Sequence, residues 1–187
     1  MPEVERPLMA GAEPRTTRRH WFGGSLIPKH PDFAADIELM SQHYPHGVAA
    51  SWKLPELEGA GPATLQVEVH NAEAGHKLPT GDPERYLLVK AEVKAGDEVL
   101  AQLEHKIGAV YEWYPKVKLL SDNRLLPDER RTLPLQIEVP EGTSELALSL
   151  RVEKWRISPE NLAYHELEET VPSHVVVLDE QSTLAVP

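Results

Sequence analysis

The stretch Leu133-Pro-Leu-Gln-Ile-Glu-Val-Pro-Glu-Gly-Thr-Ser-Glu-Leu-Ala-Leu-Ser-Leu-Arg-Val152 decides the fold of this chain. Apolar side chains occupy every second position on both sides of Pro140. Because successive side chains of a strand point to opposite faces, this period of two predicts two half-buried strands. Gly142 can take a positive φ, so the segment between them is predicted to be a tight turn.

The same alternation occurs along the chain from Val48 onwards. Ala95-Gly-Asp97 is predicted to be a hairpin turn. Short strands separated by turns about every dozen residues are typical of an antiparallel sandwich. We therefore predict an all-β, immunoglobulin-like antiparallel β-sandwich domain over residues 48–187. Its predicted strands are 48–54, 63–70, 86–95, 98–106, 109–114, 131–139, 145–156 and 172–179.

Residues 1–47 lack this alternation and are predicted to form an N-terminal extended arm and one short helix. Residues 1–19 are rich in Pro, Arg and Glu and show almost no periodicity. The helix is predicted to start at Pro31, to end near Tyr44 because Pro45 follows, and to present Phe33 on an apolar face.

Composition excludes several kinds of function. The formal charge of −11 over 187 residues argues against binding to nucleic acid or anionic membranes. The chain has no cysteine, which excludes disulfides, thiolate metal sites and covalent attachment of haem c to this chain. No apolar run has transmembrane length, and residues 1–20 lack the apolar core of a signal peptide. Common catalytic motifs are missing, so the chain is predicted not to be an enzyme.

The stretch Asn71-Ala-Glu-Ala-Gly-His-Lys-Leu-Pro-Thr-Gly-Asp-Pro-Glu-Arg85 connects two predicted strands and is rich in Gly and Pro. This composition predicts a connection locked in one shape. His76 is interpreted in two ways, as a ligand for iron or copper or as a group that hydrogen-bonds the backbone of the loop. Arg85 is predicted to tie the loop to a carboxylate or to carbonyls.

Histidines near the short helix suggest a second kind of site. His43-x-x-His46 has a spacing at which two imidazoles can chelate a metal, with a third ligand from Asp36 or His30. The alternative is that these are ordinary exposed histidines at a helix end.

Several of these motifs resemble those of a known family. Residues 71–85 are similar to the Ala-Gly-His-x-x-Pro-Thr-Gly signature in the haem-free β-domain of certain multihaem c-type cytochromes. Arg19-His-Trp-Phe-Gly-Gly24 resembles the family's His-x-Phe-x-Gly element, and Asp122-Asn-Arg-Leu-Leu-Pro127 resembles its Asp-x-Arg-x-x-Pro turn. A late Val-Glu-Lys-Trp-Arg strand and a final Glu-Glu-Thr-Val-Pro-Ser segment fit the same order, so the resemblance covers most of residues 13–180.

The resemblance implies a non-catalytic domain that covers haems, supports electron transfer and supplies distal histidine ligands. His20 would be an axial ligand of a haem c attached covalently elsewhere. Arg18 and Arg19 would pair with haem propionates, and Trp21 would anchor the arm. The implied partners are the haem-bearing portion of the same or a neighbouring cytochrome and a redox partner protein, in the periplasm or outside the cell.

Two questions stay open at the level of sequence. In such cytochromes Cys-x-x-Cys-His is often followed by Met-Pro, and this chain opens with Met1-Pro, so it is interpreted as starting just after a haem-binding motif. The alternative is an ordinary initiator methionine. The alternative to the cytochrome function is an independent extracytoplasmic copper-binding module that uses His20, His43, His46 or His76.

Overall fold

The computed structural model describes residues 3–18, 26–42 and 44–187, and in these ranges it contains ten strands and two α-helices. A 3₁₀ turn (Pro31–Phe33) leads into helix α1 (Ala34–Ser41), and helix α2 (Pro159–Tyr164) precedes the last strand. The strands are β1 (Glu3–Arg6), β2 (Arg15–Arg18), β3 (Val48–Lys53), β4 (Gly61–Asn71), β5 (Tyr86–Ala95), β6 (Glu98–Glu112), β7 (Lys118–Asp122), β8 (Arg130–Val139), β9 (Glu145–Trp155) and β10 (His174–Ala185).

Two antiparallel sheets form the sandwich. One has the strand order β3-β4-β8 and the other the order β10-β9-β5-β6-β7. If β3, β4 and β5 are called A, B and C, then β8, β9 and β10 correspond to E, F and G. The sheets are then A-B-E and G-F-C, with β6 and β7 added beside C, which is the strand arrangement of an immunoglobulin-like sandwich. The predicted fold class is confirmed.

The core lies between these sheets and follows the predicted alternation. In β4 the side chains of Leu65, Val67 and Val69 are fully buried. The inward residues of β5, β8 and β9 are buried in the same apolar cluster. Pro134 lacks a backbone donor but lies in β8, an edge strand, where a missing ladder bond is tolerated.

In four places the observed strands differ from those predicted from the sequence. The two strands predicted at 98–106 and 109–114 are one continuous strand over residues 98–112. At Gly108, between them, Asn123 Oδ1 accepts a hydrogen bond of 2.7 Å from the backbone amide, and the strand is not interrupted. Strand β7 was missed because Lys118–Ser121 are all exposed and leave no alternating pattern. Strand β10 continues to Ala185 through a polar, exposed stretch that hides its period. The predicted extended arm contains the paired strands β1 and β2.

The short helix starts where Pro31 predicts, but no residue of α1 is buried and Phe33 is 53% exposed. The predicted apolar face therefore does not pack. Instead, Leu26 and Ile27 are buried ahead of it. The second helix, α2, was missed because it has only six residues, although Ser158 caps it and Pro159 starts it. In the described part of the chain no helix is long and apolar enough to cross a membrane.

Candidate functional site

The loop between β4 and β5 is held by the buried side chain of Asn71, which is 1% exposed. Its Nδ2 donates to the carbonyl oxygens of His76 at 2.9 Å, Leu126 at 3.0 Å and Leu125 at 3.3 Å. The backbone of Asn71 bonds to Asp128 and Glu129 of the same turn. Asn71 therefore contributes most of the loop lock that one of the two interpretations gave to His76, whose ring bonds only the carbonyl oxygen of Lys77 among the described residues.

The two segments that carry the strongest motifs, 71–85 and 122–127, form one unit. Leu78 and Leu125 exchange backbone hydrogen bonds of 2.9 Å in both directions, and both side chains are buried. Lys77 Nζ lies 2.9 Å from Asp122 Oδ2. Arg124 donates two hydrogen bonds of 2.8 Å to the same carboxylate. Sequence spacing alone could not show that these segments meet.

Arg85 closes the other end of the loop. Its Nη1 donates to the carbonyl oxygen of Thr80 at 3.2 Å, so it ties the loop to a carbonyl, one of the two predicted options. Gly81 has φ of 96°, and a Cβ built on it would lie 2.5 Å from Arg85 Nη1. The backbone conformation of position 81 therefore favours glycine, and a larger residue there would also displace the guanidinium.

A cavity of about 230 Å³ lies beside this loop, at one end of the sandwich. We call it the His46–Lys154 cavity. Four basic side chains line it, from the segment before β3, from the loop and from β9: His46, His76, Arg85 and Lys154. Its other walls include Leu26, Leu78, Pro79, Glu73 and Trp155.

The cavity is cationic and desolvated. Burial, together with the charge of Lys154, lowers the pKa of His46 to about 4, so this imidazole is neutral at pH 7. Burial and the nearby Arg85 lower the pKa of Lys154 to about 8. Within the described ranges the side chain of Lys154 has no hydrogen-bond or ion-pair partner, and that of Arg85 has no carboxylate partner. His46 Nδ1 and Arg85 Nε are both buried without a partner in the same ranges.

Of the predicted site residues, the structure brings His46 and His76 to the same cavity. The exposed His76 donates from Nδ1 to the carbonyl oxygen of Lys77 at 3.0 Å, which leaves Nε2 as its acceptor nitrogen. Arg18 is the last residue of β2. Arg19, His20, Trp21 and His43 lie outside the described residues.

The other histidines are spread out. His30 caps the 3₁₀ turn by accepting a hydrogen bond from the amide of Asp32. His105 lies in β6 with its Nε2 buried, and burial together with the charge of Arg131 lowers its pKa. Among the residues described, no group of three or more His, Asp or Glu side chains is placed to hold a metal ion.

Lys154 is the cavity residue that sequence reasoning missed, although a signal was present. It lies in phase with the inward residues Leu146, Leu148, Leu150 and Val152 of the same strand. A lysine at an inward position marks an unusual environment. Next to it, Trp155 lines the same cavity and stacks on His174, with ring centres 4.2 Å apart, and on Tyr86 at 5.5 Å, so neighbouring rings hold the indole in place.

Comparison with known proteins adds little. No protein-family model matches the chain, and no curated protein does. Among solved structures, a crystal structure titled as the ApaA protein from Bordetella pertussis matches with a TM-score of 0.33 and 14% sequence identity. The match covers 75% of this chain and 94% of that one. At this level of similarity the match carries no argument, and the fold class rests on the strands themselves.

We predict that Asn71→Asp destabilises the protein by about 2 kcal/mol or more, because it replaces an amide donor by a group that cannot donate to three carbonyls. The measurement is urea unfolding at pH 7. The matched control is Gln136→Glu, the same chemical change at an exposed position of β8, which is expected to alter stability by less than about 0.5 kcal/mol. Equal effects of the two substitutions would contradict the lock assigned to Asn71.

Asp122 predicts a pH dependence of stability. Hydrogen bonds from Arg124 and then from Lys77 hold the pKa of this carboxyl well below its usual range. A carboxyl with a lowered pKa in the folded state stabilises the protein above its unfolded pKa of about 3.9, and this contribution is lost as the pH falls. Asp122→Asn is therefore expected to cost about 1–3 kcal/mol at pH 7 and progressively less below about pH 4.

The measurement for Asp122 is urea unfolding of both proteins between pH 3 and 7. Asp97→Asn, at an exposed position of the β5–β6 turn, is the control and is expected to show no such convergence. A stability difference for Asp122→Asn that stays constant over this pH range would contradict the ion-pair assignment.

Proposed function

We propose that this chain is the haem-free β-domain of a multihaem c-type cytochrome, a non-catalytic domain that covers a haem and supports electron transfer outside the cytoplasm. The observation that carries the proposal is the His46–Lys154 cavity. It places two imidazoles and two cationic side chains beside the loop that carries the Ala-Gly-His-x-x-Pro-Thr-Gly resemblance.

The side chains of the cavity fit the chemical groups of a haem edge. Arg85 and Lys154 are cations without a carboxylate in the described part of the chain, which suits acidic propionates. His76 Nε2 is an acceptor nitrogen suited to ligation, and His20 is the proposed distal ligand from the arm. When bound, the haem would supply the one-electron redox centre. The apolar walls formed by Leu78 and Trp155 would exclude water from its edge.

The size of the cavity indicates that this domain would cover one edge of a haem and would not enclose the whole haem. Its volume of about 230 Å³ is below the roughly 300–1,000 Å³ of pockets that enclose a drug-sized ligand. A whole tetrapyrrole would not fit inside it, whereas one edge with a single acidic group would. The haem in this proposal is therefore held mainly by another polypeptide portion, in agreement with the absence of cysteine from this chain.

An exposed apolar surface supports a partner of this kind. Large apolar side chains are exposed around the β6–β7 connection, among them Val110, Trp113, Tyr114, Val117, Leu119 and Leu120. Clusters of exposed apolar side chains are typical of protein contact sites. We propose that this surface contacts the haem-bearing portion of the same or a neighbouring cytochrome, and that a redox partner protein approaches the assembled complex.

We predict that the chain binds haemin through its histidines. In a titration followed by the Soret band, the wild type is expected to show a shifted band. The variants His20→Ala and His76→Ala are each expected to weaken binding by about tenfold or more. His165→Ala removes an exposed histidine at the end of α2 and serves as the control. If all four proteins give the same spectrum and affinity, neither histidine is a ligand.

The copper-binding module is the second candidate, favoured by the common location of His46 and His76 at one cavity. The charges of Arg85 and Lys154 oppose a bound cation there. We therefore expect metal analysis of the purified protein to give clearly less than one copper or zinc ion per chain. If the wild type contains one copper ion per chain and both His46→Ala and His76→Ala lose it, the copper-binding module would be favoured over the cytochrome domain.

A further inference from the structure

We propose that the His46–Lys154 cavity is a binding site for a small carboxylate or phosphate anion. The inference deepens the proposed function, because it names the ligand class of the same cavity. The anionic group could belong to a porphyrin propionate or to a free anion, and binding experiments distinguish these two ligands.

The cavity holds positive charge that no carboxylate of the described residues neutralises. In this acidic chain several half-buried cations contact a carboxylate: Lys90 and Arg151 contact Glu153, and Arg124 contacts Asp122. Lys154 is different, since it is half-buried and has no partner in the described part of the chain. The neighbouring Arg85 adds charge of the same sign. Two like charges withdrawn from water are unfavourable unless an anion joins them.

Polar atoms at the cavity lack hydrogen-bond partners among the described residues. Arg85 uses Nη1 on the carbonyl oxygen of Thr80, while its Nε is buried and has no partner among the described residues. His46 Nδ1, also buried and also without a partner there, lines the same cavity. Buried polar atoms of folded proteins are nearly always satisfied, so the unpartnered Nε of Arg85 points to a missing acceptor, to which His46 Nδ1 can also donate in one tautomer of its neutral ring. A carboxylate or phosphate oxygen is an acceptor that also carries the required negative charge.

The size and the walls of the cavity limit which anions fit it. A volume of about 230 Å³ admits a small ligand. Leu78, Pro79 and Trp155 supply apolar walls, which suit a carboxylate attached to an apolar body. The acidic residue that lines the cavity is Glu73, and its side chain is exposed, so it lies at the rim and leaves the buried donors to the ligand.

The test compares anion binding in wild type and variants of the full chain. Inorganic phosphate and succinate are titrated by calorimetry and thermal unfolding, against chloride at equal ionic strength. Lys154→Met keeps the aliphatic stem and removes the charge, and Arg85→Gln removes the guanidinium. Lys116→Met makes the same change as the first variant at an exposed position and is the control.

We expect at least one of the two anions to bind and to raise the unfolding temperature of the wild type and of Lys116→Met. Binding is expected to weaken at least tenfold in Lys154→Met and in Arg85→Gln. Without added anion, Lys154→Met is expected to unfold at the same temperature as the wild type or above it, because an unpaired half-buried charge has been removed. No binding beyond that of chloride, or equal binding in wild type and Lys154→Met, would overturn the proposal.

A second arm identifies the source of the anion. Iron protoporphyrin IX is compared with its dimethyl ester, which lacks the propionate charges. Tighter binding of the diacid that depends on Lys154 supports a propionate in this cavity. If phosphate or succinate binds and the diacid and the ester bind equally well, the ligand is a free anion. This result would contradict the haem-covering function but not the anion site. Thus the anion site and the proposed function can fail separately.

Discussion

The buried side-chain amide of Asn71 connects three parts of the molecule, and the geometry of the cavity end of the sandwich depends on it. Burial of an amide is unfavourable unless its donors are used, and Asn71 Nδ2 faces three carbonyl oxygens. These carbonyls also fix the orientation of the amide, because the opposite orientation would place Oδ1 against three acceptors. The remaining Oδ1 is buried without a partner in the described part of the chain, and its desolvation offsets part of the stabilisation from the three donated bonds.

From this contact the loop geometry propagates to the cavity. Asn71 holds the carbonyl of His76, and the paired backbones of Leu78 and Leu125 hold the next turn of the loop. The chain then reaches Thr80, whose carbonyl receives the Arg85 guanidinium. Each step is a hydrogen bond between groups that are distant in sequence or separated by a turn. A rigid loop of this kind aims its side chains in advance, which reduces the ordering cost when a ligand binds.

Much of the sandwich could be predicted from sequence, since residues such as Leu135 and Leu148 alternate cleanly and are buried as expected. Strand β7 and the end of β10 could not, because they are exposed edges with no apolar period. The role of Asn71 was also out of reach, because its acceptors Leu125 and Leu126 lie more than fifty residues away. Lys154 was accessible in principle, as the one basic residue in phase with the inward face of β9.

Gly81 links the backbone of the loop to the chemistry of the cavity. Its positive φ of 96° turns the chain back towards Arg85, and the absence of a side chain leaves room for the guanidinium. Any other residue there would meet both a strained backbone and a side chain that must move away. Because Arg85 Nη1 is already committed to Thr80, such a movement would withdraw the buried Nε from the cavity as well. The glycine of the loop motif therefore has a physical role in the cavity: it sets the position of the guanidinium that an anion would contact.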